Sequence, residues 1–468
     1  MTDYRLLIDG QLVEGAGSMP VLNPATGEPF ATAPKASMAQ LNDAVAAARR
    51  AFPSWASTPV AERRAALLTA AARVDASSEA LARLLVQENG MPLSNARIEA
   101  MVFSAKLREA AGRPLEPRTI AVQPGWQAQE ILRPLGVVAA IMAWNVPLIL
   151  LGSKLGSALM VGNTVVAKPA PTTPLTTLRI GEIIAGVLPP GVLNIITDGN
   201  DLGEALSSHP GVNMISFTGS TATGRKIVAS GASTVKRYLL EMGGNDPAIV
   251  LDDVDIPKVA EMLFQSAFMN SGQACIATKR IYAHKAIYDA LCDQLGALAR
   301  QAHTGDGMQE GVTLGPLQNR AQFERVKALL AEASGAATVA GQGSVPEGAG
   351  FFVPPTILRD IDEASRVVTE EQFGPLLPVM PFEDVEDAIE RANSGVYGLA
   401  ASVFSQDLAM ARAIASRLDA GTVTINKTVG FHPELPFGGA KQSGLGVDGG
   451  RHALAAYGQW QVVDGIEA

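Results

Sequence analysis

The chain has 468 residues, of which 47% are hydrophobic and 18% charged, with 46 glycines, 29 prolines and a net charge of -9. Such a length exceeds one compact core, so two or three domains are expected, and the composition is that of a globular rather than a disordered or fibrous chain. The negative balance argues against a surface built for nucleic acid or anionic membranes, and two cysteines, Cys275 and Cys292, exclude a disulfide framework and make a metal site unexpected.

Met1-Thr-Asp-Tyr-Arg lacks the charged start and apolar core of a signal peptide, and with so few cysteines a reducing, cytoplasmic location is expected. Residues 5 to 30 alternate short strand signals with turn punctuation at Asp9-Gly10, Gly15-Ala-Gly17 and Asn23-Pro-Ala-Thr-Gly27, which predicts a leading pair of strands. From Met38 to about Arg113 the pattern is helical, with Arg49, Arg50, Glu62, Arg63 and Arg64 on polar faces and Leu67, Leu68, Leu81, Leu84 and Leu85 on buried ones. Residues 115 to 133, rich in proline and alternating apolar positions, predict an extension that pairs with another subunit, because little nearby sequence offers it a core.

An α/β rhythm follows. Strands are predicted at Val137 to Trp144, Asn163 to Lys168, Leu193 to Ile196, Met214 to Phe217 and Arg237 to Leu240. Helices are predicted at Leu148 to Met160, Leu175 to Val187, Asp201 to Ser207 and Thr221 to Ser230. Asn145 and Pro147 interrupt the most membrane-like run, Gly136 to Gly152, so no membrane span is expected. Repeated strand-helix units predict a parallel sheet covered on both faces, with ligands bound beyond the carboxyl ends of its strands. Asn145, Lys168, Gly219-Ser220 and Glu241 stand at such ends. A second α/β region begins at Asp246, with strands near Ala248 to Leu251, Lys279 to Ala283, Val379 to Phe382, Ala401 to Phe404 and Thr422 to Ile425. In it an amphipathic helix from Ile256 runs into Gly272 and delivers Cys275 just before a strand. On these neighbours alone Cys275 is either a small core residue or a nucleophile. The tail, Gln459 to Val463, reads as a strand with few local partners.

The run Trp144-Asn145-Val-Pro147-Leu, Lys168-Pro169-Ala-Pro171, Phe217-Thr-Gly219-Ser220-Thr-Ala-Thr-Gly224, Glu241-Met-Gly243-Gly244-Asn, Gly272-Gln-Ala-Cys275, Glu371-Gln-Phe373-Gly374-Pro375 and Pro436-Phe-Gly438-Gly439-Ala-Lys441-Gln-Ser443-Gly444 resembles the NAD(P)-dependent aldehyde dehydrogenase superfamily, in its order and approximate spacing. The resemblance covers essentially the whole chain. It implies a Rossmann-like dinucleotide-binding domain over 1–114 and 134–243, a second α/β catalytic domain over 244–445, and a small β oligomerisation extension from 115–133 and 446–468. It further implies a homodimer or homotetramer acting on small aldehydes.

In residue terms, the resemblance makes Cys275 the nucleophile that forms a thiohemiacetal and then a thioester, and Glu241 the base that activates water for deacylation. Asn145 becomes, with the Cys275 N–H, the oxyanion donor, and Lys154 a proton relay behind the glutamate. The thiolate is the reactive form, and a glutamate raised by desolvation suits the base. Cofactor contacts are implied at Trp144, Lys168, Pro171, Gly219, Ser220, Gly224, Glu371 and Phe373, with the pyrophosphate on the helix that follows Ser220. Pro171 replaces the family's common NAD-favouring glutamate, and no arginine stands in residues 168–174 to receive a 2′-phosphate, so NAD is expected, with NADP as the alternative. Asn245 replaces a frequent lysine, and the acidic residue soon after Ser-Gly-x-Gly is shifted to Asp448. The implied aldehyde tunnel uses Val146, Ile149, Leu150, Ser153, Phe268, Ala274, Ile276, Phe431 and His432. It is mostly apolar and lacks an arginine, which favours neutral aliphatic or aromatic aldehydes over semialdehyde acids. A CoA-acylating enzyme and an idle dinucleotide-binding protein are the alternatives. Cys292, in a helical pattern, reads as a core residue.

Overall fold

The computed structural model describes residues 3–430 and 432–467. The N-terminal segment forms two antiparallel hairpins where one was expected: Leu6–Ile8 with Gln11–Val13, and Gly17–Asn23 with Glu28–Lys35. The first turns on Asp9 and Gly10, both at positive φ (51° and 77°), the backbone that a two-residue Asp-Gly hairpin turn requires. Four helices follow: Met38–Ser57, Val60–Asp75, Ser78–Asn89 and Leu93–Gly112. Three residues depart from the predicted faces. Leu68 is exposed and Leu84 half-buried. Arg63 is buried, its guanidinium donating to the carbonyl oxygens of Met160, Ala56 and Thr58, so a cation predicted for a polar face instead satisfies backbone groups around two helix ends.

The first large sheet carries the strands β1 (Val137–Ile141), β2 (Thr164–Lys168), β3 (Leu193–Ile195), β4 (Met214–Thr218) and β5 (Arg237–Glu241). They run parallel in the order β3-β2-β1-β4-β5, the doubly wound arrangement whose strand order reverses between β1 and β4. Leu6–Ile8 adds antiparallel to β3 at one edge, and Gly444–Leu445 adds antiparallel to β5 at the other, so residues expected in the second domain complete the first sheet. Four helices connect its strands: α1 (Pro147–Val161) joins β1 to β2, α2 (Leu175–Ile184) joins β2 to β3, the short helix Gly203–Ser208 joins β3 to β4, and α3 (Thr221–Gly231) lies between β4 and β5. The strands β1, β2 and β4 are buried along their whole length, which is why they read as continuous apolar runs rather than alternating ones.

The second sheet has seven strands, in the order Thr338–Gln342, Thr356–Arg359, Leu376–Phe382, Arg280–His284, Pro247–Val250, Ala400–Phe404 and Thr422–Ile425. All neighbours are parallel except the first pair. Five of these strands were expected. The remaining two form an edge, where Val339 is exposed and a register shift lies between Val339 and Gly341, so the periodic signal is broken there. Cys292 lies fully buried on the helix Tyr288–Gln301, a core residue as its pattern suggested.

Residues 118–134 and the tail, expected to lack local partners, pair with each other. Arg118–Gln123, Trp126–Pro134 and Gly458–Glu467 form one antiparallel sheet with the 126–134 strand in the middle, a contact across more than three hundred residues that local pattern cannot show. Val122, Trp126, Trp460, Val462 and Val463 remain exposed on it.

Candidate active site

The carboxyl ends of β1, β4 and β5 open onto a cavity of about 650 Å³, within the range of small-molecule and cofactor sites. Cys275 reaches it from the second region. The helix Ile256–Ala267 ends, and Asn270, Ser271 and Gly272 turn the chain with φ of 49°, 56° and 78°. Three successive left-handed residues are costly, and a Cβ on Gly272 would meet the Gly374 carbonyl oxygen at 2.2 Å. The strain is held by many bonds. Ser271 Oγ donates to Gly315 O at 2.7 Å, Gln273 Nε2 donates to Asn270 O at 3.0 Å, and the buried Lys279 Nζ donates to Ala274 O at 2.6 Å. This fixes Cys275 as a half-buried thiol on the cavity wall.

Glu241 ends β5 and lines the same cavity, 7% exposed, and neither carboxylate oxygen has a hydrogen-bond partner among the described residues. Burial, with Asp448 second, raises its pKa well above the ordinary carboxylate range, while Lys154 opposes the rise. Burial likewise pushes the Cys275 thiol up to about 12, with Glu241, Asp246 and Glu371 adding to the shift and Lys279 opposing it. At neutral pH the thiol is therefore protonated, and it needs a base.

Asn145 follows β1. Its backbone carbonyl is gripped by Asn270 Nδ2 at 3.0 Å and Asn89 Nδ2 at 3.1 Å, and its own Nδ2 donates one proton to Gln273 O at 3.0 Å. An amide nitrogen carries two protons, so one N–H is left for the cavity that Asn145 lines. The Cys275 N–H likewise makes no hydrogen bond within the described residues. Glu99 stabilises this corner from behind, its Oε2 accepting from Leu148 N and Ile149 N in the first turn of α1. Lys154 is not a helix-surface lysine. It is 2% exposed, lines the cavity and donates to Ser216 Oγ at 3.2 Å, which in turn bonds Tyr457 Oη at 2.8 Å. Burial lowers its pKa to about 8, with Asp448 and Glu241 restraining the fall.

The other implied cofactor residues are divided. Gly219 and Ser220 line the cavity at the start of α3, but Ser220 Oγ is occupied as a helix cap, accepting from Thr223 N and donating to Thr223 Oγ1. Its expected donation to a phosphate is thus not available in this arrangement. The N–H groups of Thr221 and Ala222, in the first turn of α3, have no hydrogen-bond partner among the described residues and lie on the cavity wall, so the turn fits an anion by its backbone rather than its hydroxyl. Gly224 lies away from the cavity, where a Cβ would meet Met242 Sδ at 2.3 Å. Trp144, Glu371 and Phe373 line the cavity. Glu371 Oε1 accepts from Gly244 N at 3.0 Å, and the rings of Trp144 and Phe373 meet edge to face at 5.3 Å. Lys168 is buried against Asp198 and Pro171 is half-buried; neither belongs to the cavity wall.

Of the implied aldehyde tunnel, Val146, Ile149, Leu150 and Ser153 line the cavity, all projecting from α1 or the residue before it. Phe268, Ala274 and Ile276 are buried behind it, and His432 is exposed, its Nδ1 accepting from Glu434 N in a turn. Phe431 lies outside the described residues. Unanticipated wall residues include Gln322, Arg325, Val396, Tyr397 and Phe437. Gln322 and Arg325 sit three apart on the helix Arg320–Ser334 and bond the carbonyl oxygens of 371–373. Their spacing reads as an ordinary polar helix face, so sequence carried no signal of them. No cluster of His, Cys, Asp or Glu able to hold a metal occurs among the described residues.

A model described as the aldehyde dehydrogenase family matches residues 12–463. The chain is similar to aldehyde dehydrogenase LUC3 of Fusarium sp, at 38% identity with 99% of this chain and 98% of the relative covered. It is also similar to the NADP(+)-dependent succinate-semialdehyde dehydrogenase GabD of Escherichia coli, at 36% identity with coverage of 97% and 96%. Among solved structures it resembles betaine aldehyde dehydrogenase from Staphylococcus aureus in complex with NAD+, at 32% identity and a TM-score of 0.94, covering 98% of this chain and 94% of that one.

Proposed function

We propose a specific chemistry for this chain, which belongs to the aldehyde dehydrogenase family and is an NAD(P)-dependent enzyme of aldehyde oxidation. The observation that carries the proposal is one thiol, Cys275, and one carboxylate without partners, Glu241, on the wall of a single cavity. In its ionised form Glu241 takes the thiol proton, and the thiolate sulfur bonds to the aldehyde carbon. The negative oxygen so formed is held by the spare Nδ2–H of Asn145 and by the Cys275 N–H. When bound, a nicotinamide dinucleotide supplies the hydride acceptor that turns this adduct into a thioester. With the first proton passed on, Glu241 takes a proton from water, whose oxygen attacks the thioester carbon; the carbon–sulfur bond breaks, the acid leaves and the proton on Glu241 returns to the Cys275 sulfur. Lys154, joined to Ser216 and Tyr457, relays the first proton away from Glu241.

The dinucleotide is assigned to the turn at Gly219-Ser220 and the first amides of α3 for its pyrophosphate, with Gly224 packing that helix in place. Trp144, Glu371 and Phe373 hold the nicotinamide end, and Lys168 and Pro171 the adenosine end. NAD is the proposed cofactor. The substrates are neutral aliphatic or aromatic aldehydes, a reading supported by Val146, Ile149, Leu150 and Phe437 on the wall and by Arg325 being engaged with backbone carbonyls rather than free for a carboxylate. The domain division at 1–114 with 134–243, 244–445, and 115–133 with 446–468 is retained as part of the proposal, except that Gly444–Leu445 belongs with the first sheet. So is assembly into a homodimer or homotetramer through the exposed apolar residues of the three-stranded sheet, in the cytoplasm. No helix among the described residues is long and apolar enough to cross a membrane.

The test is steady-state kinetics with hexanal, benzaldehyde and succinic semialdehyde, each with NAD and NADP, on the wild-type protein and on Cys275→Ala. The variant is expected to bind dinucleotide and to produce no reduced cofactor; full activity would sink the mechanism. A requirement for CoA would replace hydrolysis by acyl transfer, and turnover of the semialdehyde alone would overturn the substrate class.

A further inference from the structure

A buried ion pair at the carboxyl end of the first sheet takes no part in the chemistry of Cys275 and Glu241. β2 ends on Lys168, and Asp198 follows shortly after β3, the neighbouring strand. Lys168 Nζ lies 2.6 Å from Asp198 Oδ1, with side chains 5% and 0% exposed. The second oxygen of Asp198 accepts from Leu202 N at 2.8 Å, so the carboxylate is fixed through both oxygens. Lys35, the ammonium beside Gly199 on the same loop, is also paired, with Asp201 at 3.0 Å.

The position of the pair gives it a task. Lys168 is in register with Ile141 of β1, and Ile141 with Phe217 of β4, two residues before the anion-binding turn at Gly219. The two strand ends are therefore two strand spacings apart, ~10 Å, a span that an adenosine diphosphate bridges. In doubly wound sheets a carboxylate near the second strand accepts from the 2′-hydroxyl of an adenosine ribose, whereas a free cation nearby accommodates a 2′-phosphate. Here the second strand ends on a cation whose charge is already cancelled. An ammonium has three N–H donors, and Asp198 engages one, so Lys168 can still donate to a neutral hydroxyl. A dianionic phosphate at the same place would meet a fixed carboxylate beside its cation, and Pro171 offers no backbone N–H to compensate.

We propose that Asp198 is a specificity-determining residue that restricts the chain to NAD by neutralising Lys168 toward a 2′-phosphate. The proposal rests on the dinucleotide-binding reading given under Proposed function. Its test is equilibrium binding of NAD and of NADP, followed by calorimetry or by quenching of tryptophan fluorescence, on the wild type and on Asp198→Asn, which keeps the size of the side chain and an oxygen for Leu202 N–H. The wild type is expected to bind NAD at least roughly tenfold tighter than NADP. The variant, with a charged donor released, is expected to gain roughly tenfold in NADP affinity while NAD affinity changes little. Thermal melting reports whether the variant is folded. Should it not fold, the wild type decides: its NADP affinity should fall with salt no more steeply than its NAD affinity, because no net positive charge faces the added phosphate. Wild-type NADP binding as tight as NAD binding, or an unchanged ratio in a folded variant, overturns the assignment alone. Failure of the wild type to bind either dinucleotide overturns the proposed function and this assignment together.

Discussion

Replacing Glu241 by Gln tests the role of the unpartnered carboxylate most directly. The change removes an ionisable group but almost no volume, and because neither oxygen is hydrogen-bonded among the described residues, it breaks no hydrogen bond there. The consequence for stability has a definite sign. Glu241 has a folded pKa raised above the usual 4.5, so its contribution is fully present below that value and is lost as pH rises toward the folded pKa. A glutamine carries no such penalty, so Glu241→Gln is expected to melt at or above the wild-type temperature at pH 8 and to show no advantage near pH 4. Turnover is expected to move the other way. A positioned general base contributes about 10²–10⁴ in rate, and the thiol pKa of about 12 leaves only ~10⁻⁴ of it ionised at pH 8, so no preformed thiolate replaces the base. Because the residue is assigned to both proton transfers, stopped-flow absorbance at 340 nm should show slowed formation of reduced cofactor in the first turnover and a still lower steady-state rate. A folded, fully active variant with unchanged first and later turnovers would refute the reasoning.

Asn145→Ala should lower kcat by roughly 10²–10³ with little change in dinucleotide affinity, the usual loss for one oxyanion donor; an unchanged kcat would remove Asn145 from the site. Lys154→Met concerns a buried lysine whose pKa falls from 10.5 to about 8. The unfolded chain holds the proton more tightly, so wild-type stability should rise between pH 8 and pH 10.5 by up to about 3 kcal/mol, and urea denaturation of the variant should lack that rise. Gly272→Ala places a side chain at φ 78° and against the Gly374 carbonyl. It should cost at least 1–3 kcal/mol in thermal denaturation and slow alkylation of Cys275, and a fully stable, reactive variant would show that the turn is not needed.

The doubly wound half was legible because its central strands are buried on both sides and its helices are bounded by turn residues: Pro147, Gly162 and the capping Ser220 all sit where local sequence places them. Cys275, Glu241 and Asn145 stand at or beyond the ends of regular elements, but that placement left Cys275 open between core residue and nucleophile, and only the family resemblance implied roles for the three. What escaped depends on partners distant in sequence. Gln322 and Arg325 serve a turn some fifty residues away, Arg63 satisfies the Met160 carbonyl of α1, and Asp198 meets Lys168 from beyond the next strand. A periodic pattern shows which face of an element is buried, and it carries no record of what that face meets. The pairing of 126–134 with the tail is the extreme case, because each strand alone looks unpartnered.

That pairing also sets an order of events during synthesis. Asn163 Nδ2 bonds the Tyr457 carbonyl, and the Tyr457 hydroxyl completes the chain through Ser216 to Lys154. All strands of the doubly wound sheet except Gly444–Leu445 have been made once Glu241 leaves the ribosome, yet Tyr457 follows only after a further two hundred or so residues, a wait of roughly 10–40 s at ~5–20 residues per second. Throughout that interval Lys154 stands beside Ser216 without its third partner, and the edge of β5 is open. The nascent half-molecule thus exposes a strand edge and an incomplete polar interior, and a segment translated some two hundred residues later closes both.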